Sequence, residues 1–371
     1  MLKKTLSVLL FLCLGITGRY SIAQDAAAQS LPTLADLKDT WNAIIPGGDT
    51  LCSKGTPFSF FVHPGKSDKL LIYFDGGGMC WDEKSCATQP SFTDAISVTA
   101  DKISNGYGGI FDLNNPENPF ADDSMVFVPY CTADMHMGNS IQTYGTGDKA
   151  VEIHHNGFVN DQAALNWTYA NFESPERVFI TGVSAGSPGA IFQTPFIMEH
   201  YKDVPISELG DSGGGWYAPK GEMADKFTQW GTISLLPDWV KGFGGLTAET
   251  LSFEKLYTAV AAQYPNNLFA EYNTAHDQVQ NTFVGSMISP AYFYNQTLPA
   301  SLAEISAEAP NFGFFTAGGN KHGIIGGDEF YGYAIGELRF RDWVNDLASG
   351  ILPDSIVCKV CYEAETVASG G

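Results

Sequence analysis

Short apolar runs rich in β-forming residues recur along the chain, at 69–74, 125–130, 178–181, 268–272 and 312–316. Longer stretches of helical composition separate them, most clearly 160–172 and 190–201. Buried parallel strands read as continuous apolar runs rather than alternating ones, and each parallel neighbour needs a crossover of about a dozen residues or more. The pattern therefore predicts an α/β chain with a doubly wound, mostly parallel sheet. Ligands of such sheets sit beyond the carboxyl ends of the strands, where most of the chemically interesting residues fall. Between Gly213 and about Tyr264 the pattern changes, with Trp216, Trp230, Trp239, Phe243 and Leu246 set among glycines and prolines. This predicts a helical cap or insertion, with ordinary aromatic packing as the alternative for any single residue. No linker divides the rest, so a single domain is expected over 36–371.

The N-terminus has a basic start at Lys3 and Lys4, an apolar run from Leu6 to Ile16, and Ser21-Ile22-Ala23. That is the layout of a signal peptide over 1–23, cleaved after Ala23, with a flexible lead-in over 24–35. A secreted or periplasmic protein is expected, with no integral membrane segment after cleavage. The formal net charge is −21, and loss of Lys3, Lys4 and Arg19 makes it −24 (−21 minus 3). Such a surface excludes nucleic acid as a partner. Cys13 leaves with the leader; Cys52, Cys80, Cys86, Cys131, Cys358 and Cys361 remain, an even number in an exported chain. Cys80 with Cys86 and Cys358 with Cys361 are plausible local disulfides, which leaves Cys52 with Cys131. The alternative is a zinc site built from the two close pairs.

The run Arg177-Val-Phe-Ile-Thr-Gly-Val-Ser-Ala-Gly-Ser-Pro-Gly joins a strand to a small-residue segment through Gly182-Val183-Ser184-Ala185-Gly186. This is the pattern of a nucleophile elbow, which holds a serine hydroxyl clear of the sheet at a helix start. Such a serine needs a base. His200, His276 and His322 follow it, and His322 is favoured because it lies in a glycine-rich loop just after the last strand. Asp277 and Asp211 compete as the acid that orients the imidazole. Asp277 leads because the later strand is the usual position, and Asp211 would then cap the turn that follows it. An oxyanion needs backbone N–H donors. Ala185 supplies one, and Gly77 and Gly78, in the glycine run after the 69–74 strand, supply the others. No His-Glu-x-x-His pattern and no dinucleotide fingerprint occur, so no metal or cofactor is expected.

These residues together resemble the pectin acetylesterase family. The resemblance lies in Phe74-Asp-Gly-Gly-Gly-Met-Cys-Trp with Cys86 beyond it, in Asn118-Pro119, and in Met125-Val-Phe-Val-Pro-Tyr-Cys-Thr-Ala-Asp. It continues through Gly182 to Gly186, Asp211-Ser212-Gly213, Asp277-Gln278 and His322. It implies an α/β-hydrolase-like fold, the triad Ser184, Asp277 and His322, and a Cys52–Cys131 disulfide. Candidate pocket residues are Met79, Trp81, Asp134, His136 and Ser187. The chain departs from the family at Ser187-Pro188, where glycine usually follows, and at Gly78 or Met79, where a tryptophan often stands.

The expected function is an exported serine carboxylic-ester hydrolase that removes O-acetyl groups from a polysaccharide such as pectin. A small-ester, lipid or polyester hydrolase is the alternative, its acyl pocket lined by Met79, Trp81, Met135 and Met137. A non-catalytic carbohydrate-binding protein is the third. A polyanion such as polygalacturonate would be repelled at low salt by a chain of this charge; Lys321 beside His322 is one local cation.

Overall fold

The computed structural model describes residues 30–215, 223–287 and 293–367. The expected leader, the first half of the lead-in (24–29) and Trp216 lie outside the described residues. Where the lead-in ends, the chain is held rather than loose: Trp167 Nε1 donates to the Pro32 carbonyl (2.7 Å) and the Leu34 N–H to Asn171 (2.7 Å).

Nine described strands form the main sheet. In chain order they are β1 (Asn42–Ile44), β2 (Phe60–His63), β3 (Lys69–Phe74), β4 (Ser124–Val128), β5 (Arg177–Val183), β6 (Ile206–Asp211), β7 (Leu268–Thr274), β8 (Phe312–Ala317) and β9 (Ile356–Val357). Their spatial order is β1-β2-β4-β3-β5-β6-β7-β8-β9. The pairs from β4 to β9 are all parallel, whereas β1 and β2 add antiparallel at one edge. The chain runs outward from β3 to β4 and then crosses back to β5 on the other side of β3. That reversal opens a crevice at the carboxyl ends of β3 and β5, where the glycine loop and the elbow both emerge.

Continuous apolar strands follow from burial on both faces. One face of the sheet presents Leu71, Tyr73, Phe127, Phe179, Tyr272 and Phe315, packed against Phe340, Trp343, Val344 and Leu347 of the helix Phe340–Ala348. On the opposite face lie α1 (Gly186–His200) and α2 (Phe253–Gln263). Helix α1 is buried along nearly its whole length, which suits its apolar composition on every side.

The structure divides the 213–264 stretch and pairs all six of the remaining cysteines as disulfides. The stretch 213–264 is not one cap: α2 belongs to the helical layer on the sheet, while Ala224–Trp230 packs against the glycine loop through Trp230, whose Nε1 donates to the Cys80 carbonyl (2.8 Å). The zinc alternative is replaced by disulfides, because Cys52–Cys131, Cys80–Cys86 and Cys358–Cys361 are all bonded. Strand β6 carried no apolar run, since its sequence Ile-Ser-Glu-Leu-Gly-Asp buries polar groups.

Two buried acids lie on neighbouring strands, Glu208 on β6 and Glu271 on β7. Burial pushes the Glu271 carboxyl up to about 8, helped by the nearby Glu254, and raises Glu208 as well. An unfolded glutamate titrates near 4.5. Between those values the unfolded chain binds fewer protons, so stability falls as pH rises, by up to about 1.4 kcal/mol per pH unit for one such group. The stability advantage of Glu271→Gln over the wild type, measured by urea unfolding, is expected to widen from pH 5 to pH 8 and then level off. An advantage that stays constant over that range would mean that Glu271 is not held protonated.

Candidate active site

Strand β5 ends at Val183, and Ser184 takes a left-handed backbone (φ 55°) before α1 begins at Gly186. The turn is this tight because β5 and α1 approach one another and β3 closely. A Cβ on Gly182 would run into the Gly186 carbonyl, and one on Gly186 into the Phe74 carbonyl. The Ser184 N–H donates to the Asp211 carbonyl (2.8 Å), which fixes the elbow to the end of β6.

His322 follows β8 in the Gly318–Gly323 loop, and its Nδ1 lies 2.7 Å from Asp277 Oδ2. Asp277 is fully buried at the end of β7, and its other oxygen accepts the N–H groups of Val279 and Gln280 (both 2.9 Å). The carboxylate therefore both caps the helix Gln278–Met287 and fixes the imidazole. His322 Nε2 has no hydrogen-bond partner among the described residues and opens on the same cavity as Ser184. The competing histidines are elsewhere: His200 stacks on Tyr169 (3.9 Å) and His276 on Tyr362 (4.8 Å).

Asp211 has a different part from the one its sequence position suggested. Its Oδ2 accepts the N–H groups of Ile324 (2.7 Å) and Ile325 (2.8 Å), and its Oδ1 accepts the Ser212 hydroxyl (2.8 Å). The Ser212 oxygen in turn accepts the Gly323 N–H (3.0 Å). Asp211 thus holds the backbone just after His322 rather than the turn after itself.

The glycine loop is pinned by its carbonyls. Asp75 O meets His136 Nε2 (2.9 Å), Gly77 O accepts from Thr93 N (2.8 Å), and Met79 O accepts from Ser91 Oγ (2.9 Å). In a trans peptide the N–H points opposite to the C=O, so the Gly78 N–H turns away from Thr93. The N–H groups of Gly77, Gly78 and Ala185 have no acceptor among the described residues, and Gly78 and Ala185 line the cavity. Gly78 has φ 77°, and a Cβ there would meet the Ser91 carbonyl. The segment around Ser91 and Phe92 therefore occupies the space a larger residue at 78 would need.

The cavity is a slot of about 20 Å³. Met79, Met135, Pro188, Val279 and Phe283 form its apolar walls, and Ser184 and His322 stand at its polar side. Of the pocket residues expected from sequence, Met79 and Met135 line it. Ser187 is buried against Gly210 and Gly213 instead, because it faces β6 from the first turn of α1. Trp81 lies under Lys226, whose Nζ is 4.2 Å from the ring centroid. Asp134 is buried and ties its own loop together through Thr132 Oγ1 (2.7 Å) and Gly157 N (2.7 Å). Burial pushes its carboxyl up to about 6. His136 is buried as well, and Met137 is packed rather than lining. Lys321 is ion-paired with Glu329 (2.6 Å), so it is not a free cation beside His322. Val279 and Phe283 escaped sequence reasoning, although their four-residue spacing on the helix after Asp277 was a readable signal.

A strand–elbow–helix at the switch point of a mostly parallel sheet defines the α/β-hydrolase-like class. Within it, the chain belongs to the pectinacetylesterase family, whose model matches residues 43–229. Among similar proteins, the palmitoleoyl-protein carboxylesterase NOTUM of Mus musculus is 24% identical over 174 residues, 45% of this chain and 33% of that protein. NOTUM of Schmidtea mediterranea is 26% identical over 149 residues, 38% of this chain and 27% of that protein. The chain thus spans about a third of the length of the relatives it matches. The solved structure of the Wnt deacylase Notum from Drosophila shares the fold, with a TM-score of 0.64 at 15% identity over 88% of this chain and 97% of that one.

The two aspartates are separable by experiment. Asp277→Asn keeps an oxygen for the helix cap but no longer orients His322 correctly, so ester turnover is expected to fall about 10³–10⁴-fold with little loss of stability. Asp211→Asn removes a buried carboxylate that receives three hydrogen bonds directly, and is expected to lower stability by about 2–4 kcal/mol. Turnover and urea melts of both variants check this; the reverse pattern would make Asp211 the acid.

Proposed function

We propose that this protein is a serine carboxylic-ester hydrolase that works through an acyl-enzyme. The observation that carries this reading is His322, held by Asp277 on one nitrogen, without a partner among the described residues on the other, and facing the cavity that Ser184 also lines. Ser184 Oγ attacks the ester carbonyl carbon while His322 Nε2 takes its proton. The oxyanion is stabilised by the N–H groups of Gly78 and Ala185, with Gly77 beside them. When the intermediate collapses, the ester C–O bond breaks and His322 gives its proton to the departing alcohol oxygen. Water, activated by the same imidazole, then attacks the acyl-enzyme, releases the carboxylic acid and restores Ser184.

The acyl group we infer is acetyl, carried on a polysaccharide such as pectin. The cavity beside Ser184 is a narrow one, about 20 Å³, with apolar walls, which favours a small acyl group. It suits a methyl group better than a long acyl chain such as the one in the name of the NOTUM relatives. The apolar walls of Met79, Met135, Val279 and Phe283 keep a small-ester or lipid hydrolase as the second reading. Three disulfides support an exported protein. Among the described residues no helix is long and apolar enough to cross a membrane.

Acetate release from pectin and from acetylated xylan, alongside p-nitrophenyl esters of increasing chain length, tests the proposal. Acetate should be the preferred acyl group, and Ser184→Ala should cost about 10³-fold or more. Release from pectin is expected to rise with ionic strength, because salt screens the repulsion between polygalacturonate and a chain of net charge −21. Release from neutral xylan should not. Faster turnover of butyrate and longer esters, with no release from either polymer, would replace acetyl by the second reading. Full activity in Ser184→Ala would sink both.

A further inference from the structure

The mechanism just described uses Asp277 and His322 but leaves a second histidine–aspartate pair unexplained. His136 and Asp161 are both buried, with Nδ1 of His136 2.9 Å from Asp161 Oδ1. The other ring nitrogen, Nε2, meets the Asp75 carbonyl oxygen at 2.9 Å. A carbonyl can only accept, so Nε2 must carry a proton. Gln193 on α1 donates to Asp161 Oδ2 (2.9 Å) and to the His136 carbonyl (3.0 Å). His136 itself has φ 62°, between Asp134, which accepts its N–H, and the rings of Phe74 and Tyr130. Burial works against charge on the imidazole, but Asp161, the Asp75 carbonyl and Asp134 together raise its pKa.

Asp75 begins the glycine loop. Its N–H donates to the Val128 carbonyl (2.9 Å), as a continuation of the sheet, and its carbonyl is the next anchor. After it come Gly76, Gly77 and Gly78, with no side chain to restrict φ or ψ. Gly76 lies directly against Ser184, since a Cβ on it would come within 2.7 Å of the serine Cβ. A rotated Asp75–Gly76 peptide would therefore move the donors of the loop relative to the nucleophile.

We propose that His136 is a positioning residue for the oxyanion loop: its Nε2–H locks the Asp75–Gly76 peptide, and Asp161 with Gln193 locks His136 to the nucleophile helix. The pair thereby sets the loop that donates to the oxyanion against the helix that carries the serine. This rests on the serine-esterase reading above, and it adds a group that never touches substrate.

Two substitutions separate the halves of the contact. His136→Gln can place its amide Nε2 where the imidazole Nε2 stands and still donate to Asp75. His136→Asn can reach Asp161 but not Asp75, and asparagine tolerates the left-handed backbone. On p-nitrophenyl acetate, His136→Asn is expected to lower kcat about 10–100-fold with KM changed by less than about threefold, because removing one oxyanion donor outright costs about 10²–10³. His136→Gln should recover most of that loss, and affinity for a boronic acid that forms a tetrahedral adduct on the serine should follow kcat in both. Equal kcat in both variants, or losses that follow melting temperature alone, would reduce the pair to a structural brace. A second measurement needs no variant: in the ¹H–¹⁵N spectrum of the wild type, His136 Nε2 should be protonated and its proton slow to exchange. An unprotonated Nε2 overturns the proposal even where both variants fail to fold. Inactivity of the wild type, or indifference to Ser184→Ala, would instead remove the esterase reading and leave the spectroscopic result standing.

Discussion

A trans peptide cannot offer its N–H and its C=O to the same side, and the candidate site is built on that constraint. Asp75, Gly77 and Met79 each have the carbonyl held away from the cavity, by His136, Thr93 and Ser91 respectively. Cys80 is held twice, its N–H by the Ala133 carbonyl and its carbonyl by Trp230. A run of three glycines has no conformational preference of its own, so every one of these anchors must come from elsewhere in the chain. The Cys80–Cys86 disulfide closes the same loop covalently. The sheet supplies the fixed point, since Asp75 leaves β3 still bonded to the end of β4.

Strain gathers at the same place. Among the described residues, Ala133, Met135, His136, Ser184 and Ser212 are the non-glycine residues with positive φ. All five lie in the loops around the cavity or immediately behind it. Such backbones persist only where surrounding bonds over-determine them. Asp134 does this for the 132–136 loop through Thr132, His136 and Gly157, and Asp211 does it for the loop after His322. Buried acids here act as backbone organisers, and each accepts hydrogen bonds that water would otherwise satisfy.

The parts of this arrangement legible in sequence were those carried by a few adjacent residues. Strands β3, β4, β5, β7 and β8 announce themselves as apolar runs, and the elbow and glycine loop by their own residue patterns. The order serine, acid, histidine then narrowed the triad candidates. Strand β6 was hidden, because its buried positions hold Ser207, Glu208 and Asp211, which a hydropathy pattern reads as exposed. Ser187 was misassigned for a geometric reason: three residues past the elbow it has turned from the cavity toward β6, while Pro188 faces the slot. The Asp211 contact with Ile324 and the His136 contact with Asp75 join residues far apart in sequence, and neither type of residue at those positions implies its partner.

The loop bearing His322 is braced from behind by the segment that holds Cys358 and Cys361. The Gly319 N–H donates to the Cys361 carbonyl (3.0 Å), and the Cys358 N–H donates to the Thr316 carbonyl (2.9 Å) beside the short strand β9. Ribosomes deliver the elbow and the glycine loop long before these residues. In a chain made from its N-terminus, the brace behind His322 therefore forms after the elbow and the glycine loop have emerged. A molecule cut between His322 and Cys358 would keep Ser184 and lose the brace behind the imidazole loop, so a break far from the cavity in sequence would be felt at it.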